Sequence, residues 1–189
     1  MKPKAASFGA IAGAALCALG AARPQDPDRV RLVPGLVVVS SQRIALPWGA
    51  PVSAARAAGL ICGLPTPGDL VPGDPIPIRF ACRTSANVAI KIPGSGAGAG
   101  SVVSRRATLA IRNIGLSSAT LWIDSAADMA TARRAIGGLR GARAVEPAVS
   151  PPPNPRDRED DYQVGDVGFM LFELGDRPGG FVAVALLRE

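Results

Sequence analysis

The sequence predicts a mainly β fold: a single β-sandwich-like domain with one short helix (about 125–136), one disulfide and a cleaved N-terminal signal peptide. Three observations support this prediction. The chain contains 22 glycines and 18 prolines, which suit short strands joined by turns and argue against a helical bundle. Several segments alternate apolar and polar residues with the period of two that a half-buried strand requires. Two cysteines, Cys62 and Cys82, lie beyond the leader.

The leader occupies residues 1–22. Lys2 and Lys4 precede an apolar run from Phe8 to Leu19, and small residues follow, which is the pattern of a secretory signal peptide. The apolar run is shorter than the roughly 20 residues that span a bilayer. We therefore expect an exported chain in the periplasm, at the outer membrane surface or outside the cell, with no transmembrane anchor after cleavage. Cys17 is interpreted as a small apolar residue of the leader, and whether it carries a lipid stays open.

The other two cysteines predict a structural disulfide. In an oxidising compartment, a pair such as Cys62 and Cys82 normally forms one. The bond would close a loop of about 20 residues and restrict the unfolded chain by about 3 kcal/mol. A redox role would require a Cys-x-x-Cys arrangement, which the sequence does not contain.

Alternating or valine-rich runs predict the strands of the domain. In chain order they are Val30–Val39, Ile76–Cys82, Val88–Ile92, Thr108–Arg112 and Thr120–Asp124. Turn residues separate these runs, and at the Pro47-Trp48-Gly49 turn we expect a buried indole.

Of two further segments, the first is compatible with a short helix and the second predicts the helix of the domain. The first, Ser53–Leu60, is rich in alanine and leads into the first cysteine of the disulfide. The second begins at Ser125, which stands three residues before Asp128 in a capping-box arrangement. Because Gly137-Gly138 would end it, this helix is placed at 125–136.

A proline-rich and charged segment divides the mature chain into three parts. We expect a first β-rich part at 23–146, a proline-rich and acidic loop at 147–161, and a C-terminal β-hairpin at 162–189 that completes the domain. The acidic end of the loop, Glu159-Asp160-Asp161, lacks the alternating ligand spacing of a calcium loop, so the sequence favours a solvated charge run.

The C-terminal hairpin pairs Val167–Leu174 with Phe181–Leu187. The second of these segments carries apolar residues on both faces, which indicates a strand covered on both sides. Either it is a central strand of the sandwich, or a partner chain shelters it.

The sequence contains no recognisable catalytic motif, and we expect a non-enzymatic protein without cofactor or metal. There is no histidine, which removes the commonest general base and metal ligand. Lys91, the one lysine beyond the leader, is not part of a Ser-x-x-Lys motif. Carboxylate chemistry stays open, and the candidates, which nothing beyond their acidity singles out, are Asp69, Asp74, Asp124 and Asp166.

Two binding motifs are weak. Gly94, Gly96 and Ala99 match a dinucleotide-binding pattern, but β-branched segments flank them where a strand and a helix are required, so a hairpin loop is favoured. The arginines are scattered and do not interleave with aromatics, so nucleic-acid binding is not expected. Weak attraction to anionic polysaccharide or lipid stays open.

The chain resembles fimbrial or adhesin-type surface subunits, including secreted proteins that attach an adhesive holdfast to a cell. The resemblance rests on a secreted, β-rich chain with one disulfide, on the alternating strand Ile76–Cys82 with Cys62, and on the apolar C-terminal strand Phe181–Leu187. These elements cover a small part of the chain. Chaperone–usher pilins have a tyrosine next to last, and this chain has Arg188 there.

The resemblance implies an exported structural or adhesive subunit of the cell envelope, involved in surface attachment or in assembly of a surface structure. Its partners would be other envelope or surface proteins, including further copies of itself, and anionic polysaccharide. Strand exchange is the implied mechanism, and the candidate residues are Val37, Val38, Val39, Phe181, Val182, Val184 and Leu186. The alternative is a periplasmic binding module for anionic glycan or another envelope protein.

Overall fold

The computed structural model describes residues 33–67, 78–93, 101–147, 152 and 154–187. The leader at 1–22, the glycine-rich stretch 94–100, and the candidate carboxylates Asp69 and Asp74 lie outside the described residues. Within the described part, neither helix is long and apolar enough to cross a membrane.

The described residues form thirteen strands and two helices. The first elements are β1 (Gly35–Val39), β2 (Arg43–Pro47), α1 (Val52–Ala57), β3 (Ile61–Cys62), β4 (Thr66–Pro67), β5 (Ile78–Arg83) and β6 (Ala89–Ile92). They are followed by β7 (Val102–Ser104), β8 (Ala107–Arg112), β9 (Gly115–Ile123), α2 (Ala126–Gly137), β10 (Arg143–Val145), β11 (Arg158–Val164), β12 (Val167–Glu173) and β13 (Gly180–Leu186).

These strands form two antiparallel sheets. The small sheet has four strands in the order β2-β1-β6-β7. The large sheet has nine strands, eight of them in the order β10-β11-β12-β13-β9-β8-β5-β3, while β4 pairs with β5 off this path. The predicted fold class, a mainly β and sandwich-like domain with a short helix and one disulfide, is confirmed.

One face of each sheet contributes to a common core because side chains alternate along a strand. Leu36 and Ile90 of the small sheet are buried, as are Leu121 and Val182 of the large sheet. Helix α2 packs against β9, β12 and β13 and adds Met129 to the same core. The small sheet and α2 therefore cover a single face of the large sheet.

The turn after β2 joins the two sheets. Trp48 is buried there as expected, and its indole N–H donates to the carbonyl of Val33 over 3.0 Å. The N–H of Gly49 donates to the carbonyl of Leu116 over 3.0 Å. Gly115 has φ +87°, and a Cβ at this position would lie 2.0 Å from the carbonyl oxygen of Gly49, so only glycine permits this approach.

Helix α2 confirms the predicted helix at 125–136. Ser125 is its N-cap, and the Ser125 hydroxyl accepts a hydrogen bond from the Asp128 N–H over 3.1 Å. The shorter helix α1 overlaps the one expected at Ser53–Leu60.

An ion-pair network fixes α2 to the large sheet. Arg133 Nε lies 2.7 Å from Asp160 on β11, and Arg133 Nη2 lies 2.8 Å from Glu173 on β12. Arg158 also contacts Asp160, over 3.0 Å. Burial alone lowers the pKa of the Arg133 guanidinium, but hydrogen bonds and charge from Glu173 and Asp160 outweigh burial, so its pKa lies above its ordinary value. The guanidinium therefore stays charged at any pH near neutrality.

The acidic segment differs from the expectation of a loop at 147–161. Arg158–Asp161 belongs to β11, which pairs with β12 along its whole length. Asp160 points to the covered face, where Arg133 pairs with it. One of the three carboxylates that predicted a solvated run is therefore neutralised by a helix distant in sequence. The predicted hairpin that follows is confirmed as β12 and β13.

The disulfide is present as predicted. Cys62 on β3 and Cys82 on β5 are bonded and stand directly opposite each other in the antiparallel pair. Cys82 is completely buried. The bond therefore ties the short strand β3 to the edge of the large sheet.

Replacing Arg133 with methionine should lower the free energy of unfolding by about 2 kcal/mol, because Asp160 and Glu173 would lose their shared cation. The loss is smaller than for a fully buried pair because the three side chains are 19%, 22% and 27% exposed. Urea unfolding at neutral pH measures it. Arg134→Met, on the exposed side of the same helix, is the matched control and should change stability by less than about 0.5 kcal/mol. Equal effects from the two variants would contradict the network.

Replacing both Cys62 and Cys82 with alanine should lower the free energy of unfolding by about 3 kcal/mol, because the unfolded chain gains freedom. Equilibrium unfolding in urea, with and without a reducing agent, measures this. The reducing agent should destabilise the native chain and leave the double variant unchanged. A double variant as stable as the oxidised chain would show that the bond does not stabilise the fold.

Candidate functional site

The large sheet has a second face, which we call the open face, whose side chains point away from the core. On β9, Leu121 and Ile123 are buried, whereas Trp122 between them is 38% exposed. The same alternation holds on β13, where Val182 is buried and Phe181 is partly exposed. The pairing register places the following residues on the open face: Thr108 on β8, Thr120 and Trp122 on β9, Phe181 and Ala183 on β13, and Met170 and Phe172 on β12.

Three aromatic side chains, which we call the aromatic strip, form a row across this face. Trp122 pairs with Phe181, and Phe181 pairs with Phe172, on three neighbouring strands. The Trp122 and Phe181 rings meet edge to face with their centroids 5.5 Å apart. The Phe181 and Phe172 rings stack at 5.3 Å. These contacts fix the rings at geometries that aromatic pairs prefer.

A groove of about 640 Å³, which we call the basic groove, continues the strip on the side of Trp122. Its charged lining residues are Arg83, Arg106, Arg177 and Asp124. The arginines come from three separate parts of the chain: the end of β5, the turn between β7 and β8, and the turn between β12 and β13. These points converge because β5, β8, β9, β12 and β13 all reach the same end of the large sheet.

The Arg106 side chain lies between two neighbours. One guanidinium nitrogen is 2.9 Å from Asp124, and the guanidinium carbon is 5.9 Å from the centre of the Trp122 ring. The side chains of Arg106 and Asp124 are 65% and 76% exposed, so water screens their attraction and the pair adds little stability. Arg106 can therefore exchange Asp124 for another anion at little cost.

The hydroxyl groups of the buried Ser104 and the partly buried Thr84 hold the turn that carries Arg106. The Ser104 hydroxyl lies 2.7 Å from the Arg106 carbonyl oxygen and 2.6 Å from that of Trp122, and it accepts the Arg106 N–H over 3.1 Å. The Thr84 hydroxyl donates to the Arg105 carbonyl and accepts the Ala107 N–H. The backbone beneath the groove is thus fixed, while the arginine side chains extend into solvent.

A second hollow of about 320 Å³ lies at the opposite end of β8 and β9. Its lining is mostly apolar and includes Phe80, Ile111 and Ile114. Arg112 is the one charged lining residue of this hollow, so the hollow has less to offer a charged or polar ligand than the basic groove.

The strand-exchange candidates lie in the interiors of the two sheets. Val37, Val38 and Val39 belong to β1, which pairs with β2 on one side and β6 on the other. Phe181, Val182, Val184 and Leu186 belong to β13, which pairs with β12 and β9. Val37–Val39 and Phe181–Val184 are therefore already paired along both backbone edges within the chain, whereas Leu186, at the end of β13, pairs with Val167 of β12. The structure also resolves the choice left open for Phe181–Leu187: it is a central strand of its own domain.

The structure separates the described candidate carboxylates. Asp124 lines the basic groove, whereas Asp166 lies in the turn between β11 and β12, at the other end of the large sheet and about 20 Å away at the usual rise per strand residue. They cannot act as a pair on one bond. Among the described residues, no group of three or more histidine, cysteine, aspartate or glutamate residues could hold a metal ion.

Sequence reasoning missed the aromatic strip and the basic groove. The signal for Trp122 was present: in Thr120-Leu121-Trp122-Ile123, the tryptophan falls on the face opposite two core residues. The groove gave no such signal because its three arginines are far apart in the chain.

No protein-family model matches this chain, and neither the curated proteins nor the solved structures include a match. Fold and site define a disulfide-linked, two-sheet β protein whose large sheet keeps one aromatic face open.

Proposed function

We propose that this protein is an exported structural or adhesive subunit of the cell envelope, and that it takes part in surface attachment or in the assembly of a surface structure. The leader pattern at residues 1–22 supports export. The Cys62–Cys82 bond supports an oxidising compartment, since structural disulfides are rare in the cytosol.

The observation that carries the proposal is the open face. A folded domain rarely leaves a row of aromatic rings in the middle of a sheet unless something binds them. Trp122, Phe181 and Phe172 already contact one another on paired strands, so a ligand would fix few additional rotamers when it binds. A rigid aromatic surface of this kind supports non-covalent attachment.

The structure favours the open face over the sheet edges as the binding surface. The outermost strands of the large sheet, β10 and β3, contain three and two residues. Edges this short offer few backbone groups to an added strand, and natural sheets use short edge strands to prevent such pairing. We therefore assign attachment to side chains of the open face and not to strand exchange at the edges of the large sheet.

The proposal assigns no catalytic residue. The charged and aromatic side chains that converge at the basic groove are three arginines, one aspartate and one tryptophan. Arginine keeps its proton at physiological pH and is a poor general base, whereas it is well suited to hold an anion. Binding is the chemistry that this set of residues supports.

The proposal predicts that cells lacking this protein attach less to surfaces. Re-expressing the native chain should restore attachment, and re-expressing Phe181→Ala should restore it incompletely, because the centre of the aromatic strip is removed. The measurement is the number of cells that resist washing from a surface, with the amount of exported protein checked for each strain.

The matched control is Val103→Ala, which removes an apolar side chain that is 49% exposed on the small sheet, away from the strip. It should restore attachment fully. The proposal fails if the deletion strain attaches as well as the parent. It also fails if the chain is found inside the cell with its leader uncleaved and its cysteines reduced.

A further inference from the structure

We propose that the basic groove and the adjoining part of the aromatic strip bind an anionic polysaccharide, with arginines holding its carboxylates and Trp122 packing against a sugar ring. This inference deepens the proposed function and rests on it, because it names the ligand to which the open face attaches.

The charge of the basic groove suits a polyanion. Three arginines and one aspartate are the charged residues among those that line the groove, so the lining carries an excess of positive charge. All three arginines are exposed. The planar guanidinium donates two parallel hydrogen bonds to a carboxylate, which is the strongest side-chain recognition of that group in proteins.

The arrangement of aromatic and cationic groups in the groove suits a sugar that carries a carboxylate. A pyranose ring has an apolar C–H face and a polar rim, and a uronate adds a carboxylate at that rim. Trp122 presents a partly exposed indole, and the Arg106 guanidinium stands 5.9 Å from its centre. One sugar residue can therefore contact the ring with its apolar face while its carboxylate replaces Asp124 beside Arg106.

The row of residues that crosses the strands of the open face defines a path along which a polymer can lie. The row through the aromatic strip runs from Glu159 on β11, through Phe172 and Phe181, to Trp122. Arg106 and the two other groove arginines attract a polyanion at the Trp122 end of this row. The distance from Phe172 to Trp122 is two strand spacings, about 10 Å, which exceeds a single sugar ring. Several linked sugars can thus extend from Phe181 into the groove.

A single-stranded nucleic acid is the main competing polyanion. Proteins that bind single strands place several aromatic rings along a basic channel, and successive bases stack on them. Trp122 is the one aromatic residue among those that line this groove, so the groove itself offers a single ring on which a base could stack. The compartment supported above also favours polysaccharide, and nucleic acid becomes an outcome of the experiment.

The experiment measures binding of polygalacturonate to the mature, oxidised chain by titration calorimetry. We expect binding that weakens strongly between about 50 and about 300 mM salt, because exposed charges are screened. The groove triple variant, Arg83→Gln/Arg106→Gln/Arg177→Gln, should bind polygalacturonate about tenfold more weakly or worse, because charge-assisted hydrogen bonds are lost. Trp122→Ala, which keeps the charge, should weaken binding about fivefold through lost ring contact.

The matched control removes the same charge elsewhere. Arg43→Gln/Arg134→Gln/Arg143→Gln changes three exposed arginines on β2, α2 and β10, outside the groove. It should weaken binding less than about twofold. Thermal unfolding of each variant checks that the fold is retained, and Trp122→Phe, which keeps an aromatic ring, should recover part of the loss in Trp122→Ala.

Three results would overturn the inference. The first is a loss of affinity in the control triple variant equal to that in the groove triple variant, which would show that the polymer is attracted by net charge alone. The second is an unchanged affinity in Trp122→Ala. The third is binding of polyglutamate, oligo(dT) or phosphatidylglycerol vesicles as tight as that of polygalacturonate. Each of these results leaves the attachment proposal standing if deletion still reduces attachment and Phe181→Ala still restores it incompletely.

Discussion

The alternation of side chains along β9 is the constraint on which the rest of the structure depends. Leu121 and Ile123 enter the core, so Trp122 must point to the opposite face. The same strand pairs with β8 and β13 and packs against β7 and α2. A slip of one residue would bury Trp122 and expose Leu121, so core packing holds the aromatic strip in register.

The core side of the large sheet also explains how a polar segment becomes a strand. Four of the seven residues of β11 are charged, namely Arg158, Glu159, Asp160 and Asp161, yet the strand pairs fully with β12. Arg133 makes this possible because it reaches Asp160 and Glu173 from α2. Helix, strand and ion pairs thus depend on one another: the helix supplies the charge, and the strands supply the partners.

The open face combines a rigid base with exposed charged groups. Aromatic contacts, backbone pairing and the buried Ser104 hydroxyl hold Trp122 and the neighbouring turn in place. The arginine side chains above them are exposed, and the ion pair of Arg106 with Asp124 is weak because both side chains are in solvent. This combination suits a surface that must hold a flexible, charged polymer, because the apolar contacts define position and the charges adapt to the ligand.

The sequence by itself determined the elements whose signals are local: the capped helix at Ser125, the turn that buries Trp48, the C-terminal hairpin and the pairing of Cys62 with Cys82. The helix, the turn and the hairpin are each specified by residues close together in the sequence, and the disulfide is specified because the chain has two cysteines beyond the leader. Tertiary structure alone decided that β11 is a strand, that β1 and β13 are paired on both sides, and that Arg83, Arg106 and Arg177 share a groove. The physical reason is distance along the chain: these features arise from strand order and from charges that meet only after the sheets have formed.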